Sequence, residues 1–527
     1  RSIHICICMN AGTPKKVTIM EDAGGSSPQS QPPLTISVSK APRKSGGGAN
    51  AWPAVAEEPV SPTARLMDGI YIVVTMGLGV PLNLAAFRAG IGSQLARYPR
   101  FQSIQVIKND KPHWVLAPAL NLEDHIIVVP TSPDAASDPD KAVEDYAASL
   151  STAPMDRSRP LWEFHFLDFP TSEATSTAVL RVHHSLADGM SLLMLLMAST
   201  RSAADPSRLP AMPAPPARSG NIYACPRPSR SQGGLAFAAW VWSFVVLAWH
   251  TVVDATLFVA IIMFARDPHT LFMRADSGGG DFPRRRKRFV NRSLKLDDVK
   301  FLKEAMNCTV NDVLVGVTSS ALSRYYFRRS GDTKTRKICL RSVLLVNLRP
   351  PTSLQAYVDM VESGNSNGVK WGNELGYIIL PFHIATYEDP LEYVREAKKA
   401  VDRKKRSLEA IFTRMLCEVI LKTLGIKAAG VIFHRMIAHT TISFSNMIGP
   451  AEQVEFYGHP VVSIAPSVYG QTGALIVHYQ SYNNTIKVIL GVDEEQFPDH
   501  GQLLDDFTES LRIIKDCASS PGNNDNQ

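Results

Sequence analysis

The stretch Ser176–Thr200, STAVLRVHHSLADGMSLLMLLMAST, constrains the fold of this 527-residue chain more than any other. Its first part is β-branched and apolar, and its last part is apolar on every side. That pattern reads as a strand running through a turn into a buried helix. A helix with no polar face must be covered all round, so the stretch belongs inside an α/β domain.

The surrounding sequence agrees. FQSIQV, HWVLAPAL, HIIVVP and LWEFHFLDF read as strands, and DKAVEDYAASLS as a helix. A second block starts near Phe289, with helices over LDDVKFLKEAM and NDVLVGVTSSALSRYYF. Strands are expected in ICLRSVLLVNLRP, YIILPFHI, TTISFSNMIGP, TGALIVHYQSY and NTIKVILGV. The run IYIVVTMGLGVPLNL, at 70–84, is broken by Gly and Pro and is expected in a domain core. Two α/β layers of similar kind follow: a first domain over 57–202 and a second over 289–515, joined through 203–288. Residues 1–56 read as a disordered leader and 516–527 as a frayed tail. Hydrophobic residues at 45% and charged residues at 20% fit a globular chain. A net charge of +6 suits an anionic cofactor or an anionic membrane surface but is too diffuse for nucleic acid. The seven scattered cysteines, an odd number without framework spacing, fit a reducing compartment.

The turn itself carries chemistry. A histidine at a strand end projects from a rigid edge, and a pKa near ~6.5 leaves it mostly neutral, able to take a proton from a hydroxyl or thiol. Asp188 can pair with a cation or cap the following helix, and Gly189 removes a side chain where a substrate must pass. A surface His pair beside an ordinary cap is the plain alternative. A metal site is the other, but no further ligands lie near at metal spacing.

HHxxxDG at a strand–helix junction resembles the acyl-CoA-dependent acyltransferase superfamily. The pieces EPVSPTARLM, RYPRFQS, MDRSRPLWEFH, HHSLADGMSLL, TVNDVLVG, VNLRP, GNELGYIILPF and SFSNMIGP narrow the likeness. Together they resemble the plant branch of the wax ester synthase/diacylglycerol acyltransferase family. One departure is Tyr98, where histidine is more usual. The resemblance implies two chloramphenicol-acetyltransferase-like α/β domains with the active-site channel at their interface. It implies transfer of a long-chain acyl group from acyl-CoA, a co-substrate rather than a bound cofactor, to a fatty alcohol or diacylglycerol. His184 would be the general base, His183 a support, and Asp188 a loop-holding residue with Arg97 or Arg100 as candidate partner. Asn311 and Asp312 read either as ordinary helix caps or, from the resemblance, as residues shaping the site. Ser445 and Asn446 read either as a strand ending in a turn or as hydrogen-bond donors to substrate or oxyanion. Trp162 is expected in core packing.

Leu235–Val253, LAFAAWVWSFVVLAWHTVV, contains no Asp, Glu, Lys or Arg, and an apolar run resumes after Asp254 to Ala265. Three of the seven tryptophans fall here, as in a membrane-interface belt. A single crossing would divide the two halves of one site between two faces of a membrane. Segment 235–265 is therefore expected to lie in one leaflet, with burial inside the second domain as the alternative. The expected location is the cytosolic face of the endoplasmic reticulum, where acyl-CoA and diacylglycerol are available, with the plasma membrane as a second site. Two other functions compete: an HxxxD-type acyltransferase of soluble alcohols, whose DFGWG-like motif is absent, and an inactive membrane-attached lipid-binding relative.

Overall fold

The computed structural model describes residues 57–213, 233–273, 286–332, 337–350, 352–363, 369–470, 473 and 475–520. The leader expected over 1–56, the middle of the linker (214–232) and the end of the tail (521–527) lie outside the described residues.

Two large sheets form the frame. The first has seven strands, in the order Ile126–Val128, Trp162–Leu167, Ser176–His183, Tyr71–Leu78, His459–Tyr469, Val454–Phe456 and Arg201–Ser202. The second has six, in the order Leu375–Ile384, Ile338–Asn347, Ile442–Ile448, Leu475–Tyr482, Thr485–Asp493 and Lys287–Lys295. Every residue of Ser176–His183 is buried, as the β-branched run requires, and the helix Gly189–Ala198 behind it is buried apart from half-covered Met190. The run 70–84 supplies the strand Tyr71–Leu78, which lies between Ser176–His183 and His459–Tyr469. Trp162 is fully buried and donates its indole N–H to Phe101 O at 2.8 Å, the core role expected of it.

The sheets do not follow the order of the chain. Val454–Phe456 and His459–Tyr469 come from the second block yet complete the first sheet. His459–Tyr469 pairs with Tyr71–Leu78 through an irregularity between Val461 and Ser463. Pro460 and Pro466 speak against a central strand. Pro466 is accommodated because, beyond its short pairing at His459 and Pro460, the strand is bonded on one side only among the described residues. The same strand packs on Leu475–Tyr482 and Thr485–Asp493 of the second sheet, and Tyr469 meets Phe289 edge-on at 4.5 Å. This is where the two sheets join.

Helices cover the second sheet. Val310–Ser330 starts in a capping box between Thr309 and Asp312 and stops at Gly331, whose φ of 62° favours glycine. It packs against His500–Ser519. That last helix continues through 516–519, residues expected in the tail; its apolar face holds Leu504, Phe507, Leu511 and Ile514 in the core.

Candidate active site

The strand Ser176–His183 delivers the histidines. His183 lies opposite Tyr71 in the ladder, and the His184 N–H donates to Ile70 O at 2.8 Å, so the chain stays sheet-bonded to the start of the turn. Asp188 then caps the helix, accepting from the Ser191 N–H at 2.9 Å. His183 through Gly189 are all buried, and Gly189 is the first helical residue.

The two histidines differ in one decisive respect. His183 is tied at both ring nitrogens: Nδ1 lies 2.6 Å from Ser185 Oγ, and Nε2 lies 3.2 Å from the Gly69 N–H and 3.3 Å from Asp68 Oδ1. Its ring also meets Tyr71 edge-on at 5.3 Å. His184 is equally buried, yet neither Nδ1 nor Nε2 has a hydrogen-bond partner. A buried polar atom left unpaired costs about 1–3 kcal/mol, a cost removed when a ligand supplies the missing group. Burial lowers the His184 pKa below 6.5, outweighing the opposing influence of its own backbone carbonyl, of Asp188 and of the Asn373 side chain. The ring is therefore neutral at neutral pH and can accept a proton.

Asp188 lies in a buried ion pair, and its partner is Arg349 rather than Arg97 or Arg100. Arg349 Nη1 donates to Asp188 Oδ1 at 3.1 Å and Nη2 donates to Oδ2. Arg349 also donates to Ser191 Oγ at 2.8 Å and to Gly372 O. Arg100 instead pairs with Glu58 and lies over the Trp114 ring at 4.7 Å. Arg349 belongs to VNLRP, just beyond a strand of the second sheet, so its closeness to Asp188 is a product of folding and not of sequence spacing.

A short segment of the second block completes the clamp. Trp371 donates its indole N–H to Leu186 O at 2.8 Å, and Asn373 Nδ2 donates to His184 O at 3.0 Å. Asn373 Oδ1 is buried without a partner. Tyr98, the departure from the usual histidine, is buried and packs edge-on to Trp371 at 4.8 Å. Trp371 and Asn373 sit in or beside GNELG, a motif visible in the sequence, but nothing in the sequence assigned them a contact with the turn.

Of the remaining candidates, Ser445 and Asn446 lie on the second sheet, and Asn311 and Asp312 at the start of the helix Val310–Ser330. Asn446 Nδ2 donates to Asn311 Oδ1 at 2.5 Å. Ser445 Oγ lies 2.5 Å from Nδ1 of His478, its neighbour across a parallel pairing. Burial, helped by Lys287, pushes the His478 pKa down to about 3, and its Nε2 is buried without a partner. Asp312 does what an ordinary cap does: it accepts from the Thr309 N–H at 2.8 Å while its own N–H donates to Thr309 Oγ1. Among the described residues, no hydrogen bond joins Asn311, Asp312, Ser445 or Asn446 to the HHSLADG turn. His478 went unnoticed because a lone histidine in an apolar strand carries no spacing signal.

Comparison with known proteins gives a consistent picture. Residues 71–314 match the family model of the wax ester synthase/diacylglycerol acyltransferase catalytic domain, and 371–515 match the WS/DGAT C-terminal domain. The chain is 42% identical over 477 residues to wax ester synthase/diacylglycerol acyltransferase 11 of Arabidopsis thaliana, covering 88% of this chain and 95% of that protein. It is 41% identical over 478 residues to number 4 of the same plant, covering 87% and 90%. Among solved structures, a wax ester synthase/diacylglycerol acyltransferase from Marinobacter aquaeolei VT8 superposes with a TM-score of 0.54 at 17% identity, over 88% of this chain and all of that one. The first condensation domain of the calcium-dependent antibiotic synthetase gives 0.52 at 14% identity, over 89% and 98%. The fold is thus the two-domain, chloramphenicol-acetyltransferase-like α/β fold.

Proposed function

The chain belongs to the wax ester synthase/diacylglycerol acyltransferase family and is an acyltransferase, and from that premise we propose that His184 is the general base that passes a long-chain acyl group from acyl-CoA to a lipid hydroxyl. The observation that carries this is the pair of unpartnered ring nitrogens on His184, in a turn whose other polar side chains are satisfied. Neutral His184 takes the hydroxyl proton as the oxygen attacks the thioester carbonyl. The tetrahedral intermediate collapses, the C–S bond breaks, and the proton passes from the imidazolium to the departing thiolate. The products are an ester and free CoA, with no acyl-enzyme and no bound cofactor in the sequence of steps. A positioned base accounts for roughly 10²–10⁴ in rate; donors to the oxyanion must supply much of the rest. Ser445 can be such a donor only in the tautomer where His478 Nδ1–H donates to Ser445 Oγ, leaving the hydroxyl hydrogen free.

Attachment to one leaflet is the second part of the reading. The helix Gly233–Met263 is long and apolar enough to cross a membrane. From 234 to 253 none of its residues is buried, and Leu235, Trp242 and Trp249 are largely exposed. Asp254 interrupts this face and is buried in an ion pair with Lys404 Nζ at 3.0 Å and Arg403 Nη1 at 2.8 Å. On the other side of the linker, the Ala211 N–H donates to Glu452 Oε1 at 2.6 Å. Both flanks are thus fixed to the same folded body, which favours a helix lying in one leaflet over a single crossing. We assign the cytosolic face of the endoplasmic reticulum, since acyl-CoA and diacylglycerol meet there.

Purified protein incubated with labelled palmitoyl-CoA and either hexadecanol or diacylglycerol should place label in wax ester or triacylglycerol. Deleting 234–253 should reduce transfer to diacylglycerol more than to a short, soluble alcohol. Label moving only to soluble alcohols, or to none, would overturn the lipid-hydroxyl assignment.

A further inference from the structure

We propose that the helical pair Glu409–Thr423 and Gly425–Ala438 is a second membrane-contact face, selective for anionic lipid headgroups. This deepens the one-leaflet reading and rests on it for the orientation of the molecule.

The distribution of exposed apolar side chains comes first. Large exposed hydrophobics concentrate on the helix Gly233–Met263 and on this pair, where Met415, Val419, Leu424 and Val431 are 55–66% exposed. Met415 and Val419 lie one helical turn apart on the first helix, Leu424 stands at the junction between the two helices and Val431 lies on the second, so both members of the pair present apolar side chains outward. The long apolar helix packs on both members of the pair. It is fastened there by the Leu408 N–H donating to Thr251 Oγ1 at 2.9 Å, and by His439 Nδ1 lying 2.5 Å from Ile261 O. The two apolar surfaces therefore belong to one contiguous unit.

Charge distinguishes the pair from the long helix. Val419–His439 contains no Asp or Glu. Lys422, Lys427 and Arg435 are exposed, and none has an ion-pair partner among the described residues. The preceding helix Glu392–Lys405 shows the opposite habit: Arg395 pairs with Asp389, Lys399 with Glu396, and Arg403 with Asp254. Unpaired cations flanking an exposed leucine at a helical tip match a surface of anionic headgroups over an acyl layer. A purely apolar partner would gain nothing from them.

The pair is also coupled to the catalytic turn. Thr413 Oγ1 accepts from the Tyr377 N–H at 2.9 Å and donates to Tyr377 O. A Cβ at Gly376 would collide with the Ala410 carbonyl, so glycine is what allows the helix to seat there. This anchorage lies just beyond Asn373, which holds His184 O. Lipid contact would thus be made through the element that is rooted beside the base.

The test is co-sedimentation of the full chain with vesicles of phosphatidylcholine alone, or with about one third phosphatidylserine. The variants are Lys422→Glu/Lys427→Glu/Arg435→Glu and the milder triple glutamine replacement, with transfer to a short soluble alcohol as the check on folding. The wild type should bind both vesicles, the anionic more tightly. The glutamate variant should lose at least tenfold on anionic vesicles and be unchanged on neutral ones, with the glutamine variant between. Wild-type-like binding of both variants to anionic vesicles would overturn the proposal while leaving the apolar helix as the anchor. Wild-type binding to anionic vesicles only, abolished in the variants, would uphold the basic face and reject the apolar helix. No binding to either vesicle would reject both. A dimer in solution that dissociates in the variants, with vesicle binding unchanged, would assign this face to a second copy and also overturn the proposal.

Discussion

His184→Ala is expected to lower acyl transfer by roughly two orders of magnitude or more, with little change in stability. Removing a buried ring costs about 2–5 kcal/mol in lost packing. Here it also removes two buried, unpartnered nitrogens, each worth about 1–3 kcal/mol in the opposite direction. The two effects are of similar size, so the folded protein should survive. His183→Ala should do the reverse: it breaks the ties to Ser185, Gly69 and Asp68, lowering stability while reducing activity less. Activity against palmitoyl-CoA and hexadecanol, with a thermal melt for each variant, separates the two roles. A His184→Ala enzyme of near-normal activity would remove this residue from the mechanism.

Arg349→Met should destabilise the protein by about 3–5 kcal/mol, because it leaves the Asp188 carboxylate buried without its cation. Arg349→Lys should rescue little. A point-like ammonium cannot donate to both Asp188 oxygens, Ser191 Oγ and the Gly372 carbonyl at once. Activity should fall with stability, since the same guanidinium joins the HHSLADG turn to the second sheet. Asp188→Asn should also lower the denaturation midpoint. Variants with unchanged midpoints but no activity would mean that Asp188 acts on the reaction directly.

Legibility followed the range of the interactions. The strand, turn and buried helix around His184 were readable because local periodicity and a single motif specify them. So were five of the six strands of the second sheet and, as one of its two readings, the capping role of Asp312, which accepts from the Thr309 N–H three residues away. The partner of Asp188 was not, because Arg349 lies 161 residues away and many arginines could have served. Neither was the passage of His459–Tyr469 into the first sheet. No strand is assigned to the segment from sequence, and its pairing with Tyr71–Leu78 leaves no trace in the local pattern. The apolar helix was plain from composition, whereas its fastening through Asp254 depends on Lys404 and Arg403, far along the chain. Asn373 and His478 were missed for the same reason: each matters through a neighbour that only folding supplies.

The pH dependence of kcat/KM tests the central claim most directly. A general base works only when unprotonated, and burial holds the His184 pKa below 6.5. Wild-type activity should therefore persist as pH falls through 6.5 and decline only through the lower value of the buried ring, and that limb should be missing from the residual activity of His184→Ala. An acid limb at or above pH 6.5, or the same limb in His184→Ala, would contradict transfer through a buried, neutral His184.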